Sequence, residues 1–229
     1  MLALIDGDIC VYRIGFTTEE EDEKIAYWRM DELMDNILEG SKATEYHVYL
    51  TASNDKTAFR KKIYPEYKAH RTKPKPRHYE ALRTYLEASY KADVVTTIEA
   101  DDALGMNQDM DSVICSIDKD LLQIEGHHYN FVTDEWKTID ERTGMYNFYT
   151  QMIVGDSADN LKGVKGKGEV AARKMLADCK LEQDYFDVVR GMYGNDEEML
   201  LNGRCFWIWR TPDDDWKHHF DRLANETNS

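Results

Sequence analysis

The chain has 229 residues, 42% hydrophobic and 32% charged, enough to bury a sizeable core as one large domain or two small ones. No apolar run approaches the roughly 18 residues a membrane span needs, and Met1 to Cys10 is too short and too acidic for a signal peptide. The net charge of −15 argues against a uniformly basic nucleic-acid binder, and four widely spaced cysteines without a CxxC pair suit reduced thiols in a cytoplasmic protein.

Leu2 to Asp6 (LALID) is a short apolar run ending in an acid, with Asp8 two residues on. It predicts a buried strand whose carboxyl end delivers Asp6 and, two on, Asp8, where open α/β sheets place their sites. Glu19 to Glu39 predicts a helix, with Met30, Leu33, Met34, Ile37 and Leu38 at 3/4 spacing and Gly40 as its stop. Tyr46 to Thr51 predicts the next strand.

Lys56 to Lys91 then carries eleven Lys/Arg against three Glu, so an acidic body holds a basic island suited to a local phosphate contact. The alternative is an ordinary solvated helix face. Pro65, Pro74 and Pro76 make this segment a stiff connector. Lys68 and Arg71 are three apart beside Tyr67, able to offer two cations to phosphate and an aromatic face to a base. His70 and His78 are expected on the surface. Tyr79, Leu82, Leu86 and Tyr90 mark an amphipathic helix.

Asp93 to Ile98 predicts a strand followed by Glu99-Ala-Asp101-Asp102, and Ser112 to Ile117 another closing on Asp118-Lys119-Asp120. Helix capping accounts for either cluster alone, because acids favour a helix N-terminus. Several such clusters at equivalent strand ends would meet on one edge of a parallel sheet. Packed carboxylates there call for oxygen-liganded divalent cations, Mg²⁺ or Mn²⁺.

His127 to Thr138 predicts a hairpin around Thr133-Asp134, and Asp140 to Val154 a helix. In Val154 to Leu176 (VGDSADNLKGVKGKGEVAARKML), a helical reading puts Asp156 and Asp159 on one face. Gly163, Gly166 and Gly168, interleaved with Lys162, Lys165 and Lys167, then form a turn able to seat phosphate before a helix. Helices follow over 169–178 and 181–191. Phe206 to Trp209 and Trp216 suggest an aromatic clasp, with 225–229 frayed.

The ordered set IDGD, FRKKIYPEYKAHR, EADD, SIDKD and GDSADNLKGVKGKG resembles the 5′-nuclease family of phage 5′–3′ exonucleases, the 5′-nuclease domain of DNA polymerase I and flap endonucleases. The likeness runs from Leu2 to about Leu176. It implies an α/β fold, a twisted, mostly parallel sheet flanked by helices, with a helix–three-turn–helix element at Gly163 to Lys174. It divides the chain into a catalytic core over 1–150 and a DNA-binding subdomain with the clasp over 151–229. By the resemblance Asp6, Glu99, Asp101, Asp102, Asp118, Asp120, Asp156 and Asp159 fall on metal-site acids. Glu99, Asp101, Asp102 and Asp118 fall to the tighter region, and Lys68, Arg71 and Asp102 are the catalytic set. A further family acid precedes the FR segment; Ser53 or Asp55 takes that place here, Asp55 being preferred. Tyr67, Lys73, Lys75, Arg77, Gly163, Lys165, Gly166, Lys167, Gly168 and Arg173 would contact DNA, with K⁺ at the glycine turn. Only 39 residues separate Phe59 from Glu99, which favours an open or reduced arch over a closed one.

The implied activity is Mg²⁺-dependent hydrolysis at a 5′ end or 5′ flap of DNA by a monomer, in phage-type replication or primer removal, with RNA–DNA hybrids as further substrates. Three rivals remain. DGDIC and GDSAD also resemble motifs of haloacid-dehalogenase-type phosphatases, with Asp6 as nucleophile. A catalytically silent DNA-structure-binding protein would keep the acids as caps. A PIN-like ribonuclease would share the acidic sheet edge.

Overall fold

The computed structural model describes residues 1–53 and 58–227, so Asp55 lies outside the described residues, as do Asn228 and Ser229 of the expected frayed end. Its centre is a six-stranded sheet of β1 (Leu2–Asp6), β2 (Glu45–Thr51), β3 (Asp93–Val95), β4 (Ser112–Cys115), β5 (Gly126–Asn130) and β6 (Glu135–Ile139). The order is β3-β2-β1-β4-β5-β6, parallel except for the β5–β6 hairpin. This is the mostly parallel sheet the sequence predicts.

Side-chain alternation along the strands builds two cores. Ala3, Ile5, Val48, Leu50, Val113 and Cys115 face α1 (Gly7–Thr17), α2 (Glu23–Ser41) and α4 (Tyr79–Tyr90). Their neighbours Leu4, Tyr49 and Ile114 face the other way, onto α5 (Ala100–Asn107). Met30, Met34 and Ile37 of α2 are fully buried, each worth about 1.5–3 kcal/mol of hydrophobic stabilisation.

The chain lays down β1, β2 and β3 outward in one direction, then returns through α5 to place β4 on the other flank of β1. The strand order therefore reverses between the carboxyl ends of β1 and β4, the position where open α/β sheets leave a crevice.

Several boundaries differ from expectation. The helix expected over Glu19–Glu39 forms as α2, starting at Glu23, and a further helix, α1, precedes it. Asp6 caps the unforeseen α1 by accepting Ile9 N at 3.1 Å, and Asp22 caps α2. Gly40 does not end α2. Lys42 does, in the left-handed region at φ 53°, while Gly40 makes room for the Tyr129 ring. β3 stops at Val95, so α5 begins at Ala100 and takes Asp101 and Asp102 into its first turn. In the basic island a short α3 (Phe59–Ile63) forms, and His78 is buried, its Nε2 lying 3.0 Å from Glu21 O.

Beyond the sheet, α6 (Glu141–Val154) packs with α7 (Glu169–Leu176), α8 (Glu182–Tyr193), α9 (Asp196–Phe206) and α10 (Trp216–Thr227). Phe148, Tyr149, Phe186, Trp207 and Trp216 fill this helical core. The aromatic segment is thus interior: Ile208 continues into the core under α5 and ties the helices to the sheet. Among the described residues no helix is long and apolar enough to cross a membrane.

Asp156 and Asp159 are not helical. Gly155–Asp156 (β7) and Leu161–Lys162 (β8) form a two-stranded antiparallel hairpin with Asp159 in its turn. Gly155 at φ 77° and Asn160 at φ 60° impose that reversal.

Candidate active site

Each wall of the crevice at the strand-order reversal is set by a local cap or turn. Asp6 ends β1, and its Oδ2 accepts Ser116 Oγ at 2.8 Å, which joins the ends of β1 and β4. Ser116 Oγ also receives Asp118 N at 3.0 Å, and Asp118 Oδ1 caps the following 3-10 turn (Lys119–Gln123) by accepting Asp120 N at 2.9 Å. Glu99 is the N-cap of α5. Asp156 and Asp159 arrive on the β7–β8 hairpin.

Seven of the predicted acids, Asp6, Glu99, Asp101, Asp118, Asp120, Asp156 and Asp159, line one open cleft of about 500 Å³ together with Asp8. Asp8 accepts Thr51 N at 3.0 Å and Arg83 Nη1 at 2.9 Å. Lys68, Arg71 and Lys75 line the same cleft. Lys68 Nζ reaches Glu99 Oε1 at 2.7 Å, and Arg71 Nη2 reaches Asp159 Oδ1 at 2.6 Å.

Asp102 stands apart from the predicted set. It is fully buried and takes both arms of Arg60, Nη1 to Oδ2 at 2.6 Å and Nη2 to Oδ1 at 2.8 Å. Glu99 N and Trp209 N donate to it as well. It therefore props the acidic wall from behind rather than facing the cleft. Tyr67, read as an aromatic face for a base, is 3% exposed and gives its hydroxyl to Glu99 at 2.8 Å and Asp159 at 2.9 Å. Lys73 and Arg77 are exposed outside the cleft.

The glycine turn forms a second concavity lined by Gly163, Lys165, Gly166 and Lys167; Gly168 caps α7, and Arg173 is exposed on that helix. A Cβ on Gly163 would strike the backbone of Ile153, Val154 and Gly155, so the hairpin packs directly on the end of α6. At Gly166 and Gly168 a Cβ would meet nothing within 4 Å.

The electrostatics separate two groups of acids. Burial, then Asp8, with a further push from Asp118, raises Asp6 to about 7. Burial, then Asp6 and Asp118, raises Asp101 well above the usual carboxylate range. Burial and Asp118 raise Asp120 to about 6. Glu99 goes the other way: burial pushes it up, but Lys68 and Arg60 outweigh that and hold it at about 2.

In the metal-free protein Asp6 and Asp120 thus keep protons at pH values where the unfolded chain, at about 3.9, has lost them. Unfolding then releases protons, so their contribution is full below about 4 and is lost as pH rises through 6 to 7. Glu99 opposes this only when pH falls through the range from its unfolded value toward 2. Thermal melts in EDTA should give a higher midpoint at pH 5.5 than at pH 8, and Asp6→Asn should flatten the difference. A wild-type midpoint that rises with pH across that window contradicts this balance.

Asp8 joins the cleft as its place two residues beyond Asp6 predicts, whereas nothing in the sequence marks Arg60, Arg83 and Ser116. A basic residue in a basic run reads as solvated, and nothing local marks Arg60 as the partner of Asp102.

The donor set is all oxygen, and four of its carboxyls, Asp6, Asp101, Asp120 and Asp159, are pushed upward by burial and by neighbouring acids, which suits a hard divalent cation. Among the described residues no three donors converge into a ready ligand cage. Mg²⁺ tolerates this, because it keeps several waters and takes few protein ligands.

Residues 1–151, about two thirds of the chain, match the family described as 5′-3′ exonuclease, N-terminal resolvase-like domain. DNA polymerase I of Caldicellulosiruptor bescii is 28% identical over 218 residues, covering 80% of this chain and 25% of its own length. The chain thus spans about a quarter of the length of that relative. Flap endonuclease Xni of Shewanella baltica is 24% identical over 221 residues, covering 88% of this chain and 83% of its own. Among solved structures, a bacteriophage T5 flap endonuclease in a pseudo-enzyme-product complex with DNA and metal ions superimposes with a TM-score of 0.66 at 16% identity, over 100% of this chain and 99% of the other. With its strand order, its acidic crevice and the match over 1–151 in agreement, the chain belongs to the 5′–3′ exonuclease family through its N-terminal resolvase-like domain.

Proposed function

We propose that the protein is a divalent-metal-dependent 5′ nuclease that hydrolyses DNA phosphodiesters at a 5′ end or at a 5′ flap, leaving 5′-phosphorylated products. The observation that carries this reading is the gathering of seven acids with Lys68 and Arg71 in one cleft, with a glycine-lysine turn following the adjoining hairpin. We assign Asp6, Glu99, Asp101 and Asp118 to one Mg²⁺, with Asp120, Asp156 and Asp159 at a second or in its water shell. When bound, such ions would supply Lewis-acid stabilisation of the reacting phosphate and a water of lowered pKa. Lys68 and Arg71 bind and orient the scissile phosphate and offset its charge.

The glycine turn would seat the duplex backbone through its N–H groups and the N-terminus of α7, with K⁺ as a further ion there. RNA–DNA hybrids offer that turn the same charged phosphodiester backbone and are further substrates. The phosphatase alternative needs Asp6 as a free nucleophile. Asp6 is only 2% exposed and accepts hydrogen bonds from Ile9 N and Ser116 Oγ, which disfavours it.

The test is product sizing on a 5′-labelled duplex and a matching 5′-flap duplex, with Mg²⁺ and with EDTA. Short labelled products from both, abolished by EDTA, are expected. Release of phosphate from a small monoester, with both DNAs intact, would replace this reading with the phosphatase.

A further inference from the structure

The cation-bearing loop and the duplex-facing hairpin are bolted together. Residues 64–71 lie on the 158–160 turn through backbone carbonyls on both sides. Lys68 N donates to Asp159 O at 3.1 Å, and Arg71 Nε to Ala158 O at 2.9 Å. In return Asn160 Nδ2 donates to Glu66 O at 3.0 Å, and Tyr64 hydroxyl lies 3.4 Å from Asn160 O. Lys68 and Asn160 both sit in the left-handed region, at φ 55° and 60°. Asparagine tolerates that conformation better than most residues.

The hairpin that carries Asn160 leads directly into the glycine turn, and the Gly155–Gly163 backbone contact leaves no room for a Cβ on either residue. Asn202 Nδ2 holds the far strand at Lys162 O, 2.6 Å away, and also contacts the Tyr193 hydroxyl. The path from the glycine turn to Lys68 and Arg71 therefore runs through short, hydrogen-bonded backbone, with Asn160 Nδ2 as the side-chain bolt from the hairpin to the loop's backbone, alongside Tyr64 and Arg71 from the loop.

From this we infer that Asn160 is a positioning residue that sets which phosphodiester is cut: it fixes the offset between the duplex seat at Gly163–Gly168 and the phosphate-orienting cations Lys68 and Arg71. The inference rests on the 5′-nuclease reading. Asn160 touches neither cation side chain. It acts by pinning the Glu66 carbonyl, and with it the turn that aims Lys68. A loop free to slide would still offer both cations, but to neighbouring phosphates as well.

The test uses a single 5′-flap duplex, labelled at the 5′ end and resolved at one-nucleotide steps, with the full chain and Mg²⁺. Asn160→Gly keeps the backbone conformation and removes the bolt. It should raise the share of cuts one or more nucleotides from the wild-type position at least about threefold, since a displacement near 1 Å suffices to redirect reactivity. Duplex affinity measured in EDTA should stay within about twofold of wild type, because the glycine turn is untouched. Tyr64→Phe, which loses only a hydroxyl, should shift the same distribution in the same direction and guards against a misfolded Asn160→Gly. Cleavage by both variants at the wild-type position with unchanged spread would overturn the inference while leaving the nuclease reading intact. A wild-type protein that cuts no DNA would remove both.

Discussion

Replacing Arg60 by Met should cost about 3–5 kcal/mol of folding stability, a large share of the roughly 5–15 kcal/mol a domain possesses. Arg60 is 3% exposed, yet each of its donor nitrogens is used. Two arms hold the fully buried Asp102, while Nε and Nη2 reach Cys205 O at 2.8 Å and Trp207 O at 2.7 Å. Glu99 stands 3.4 Å from Nη1. One guanidinium thereby joins α3, the start of α5 and the segment leaving α9. Its removal strands a buried carboxylate and two carbonyls, and that uncompensated charge dominates the loss. Urea denaturation should show the drop for Arg60→Met and a partial recovery in Arg60→Met/Asp102→Leu, where no charge is left behind. A single-variant loss below about 1 kcal/mol would mean that water reaches the site and the pair is not a brace.

Asp101→Asn should lower cleavage about a thousandfold while making the metal-free protein more stable. Burial and the neighbouring Asp6 and Asp118 already penalise the charge at Asp101, so an amide of the same shape relieves repulsion. The cost falls on cation binding, where that charge is needed. In EDTA the thermal midpoint should rise by a few degrees, since about 1 kcal/mol moves a chain of this size by about 2–4 °C. Added Mg²⁺ should raise the wild-type midpoint and raise the variant's much less. Cleavage at the wild-type rate, or an undiminished Mg²⁺ shift, would take Asp101 out of the site.

The two substitutions separate neighbours in one short motif. Asp101 and Asp102 are adjacent in EADD and read alike in the sequence. The start of α5 turns one toward the cleft and the other inward to Arg60. Strand ends and acids were legible because short apolar runs and their terminal carboxylates are local features. The inward role of Asp102 was not, because its partner lies 42 residues away. The hairpin carrying Asp156 and Asp159 was missed for a related reason. Spacing of three suits a helix face, and only the backbone of Gly155 and Asn160 reveals the reversal. The N-terminus of α9 did carry a signal, Asn195 accepting from Glu197 N and Glu198 N ahead of an acidic first turn, but no apolar stripe drew attention to it.

Gly168 and Gly163 look interchangeable in the sequence, yet they answer to different constraints. A methyl at Gly163 collides with the chain's own backbone, so folding enforces the glycine. At Gly168 the backbone is extended, at φ −121°, and a methyl would project into open solvent. A selection that scored only folding, such as protease resistance across a variant library, would purge substitutions at 163 and pass alanine at 168. Any demand for glycine at 168 must come from something outside the polypeptide, and setting that folding selection against a second one for DNA cleavage would test the proposed duplex seat without a ligand ever being seen in place.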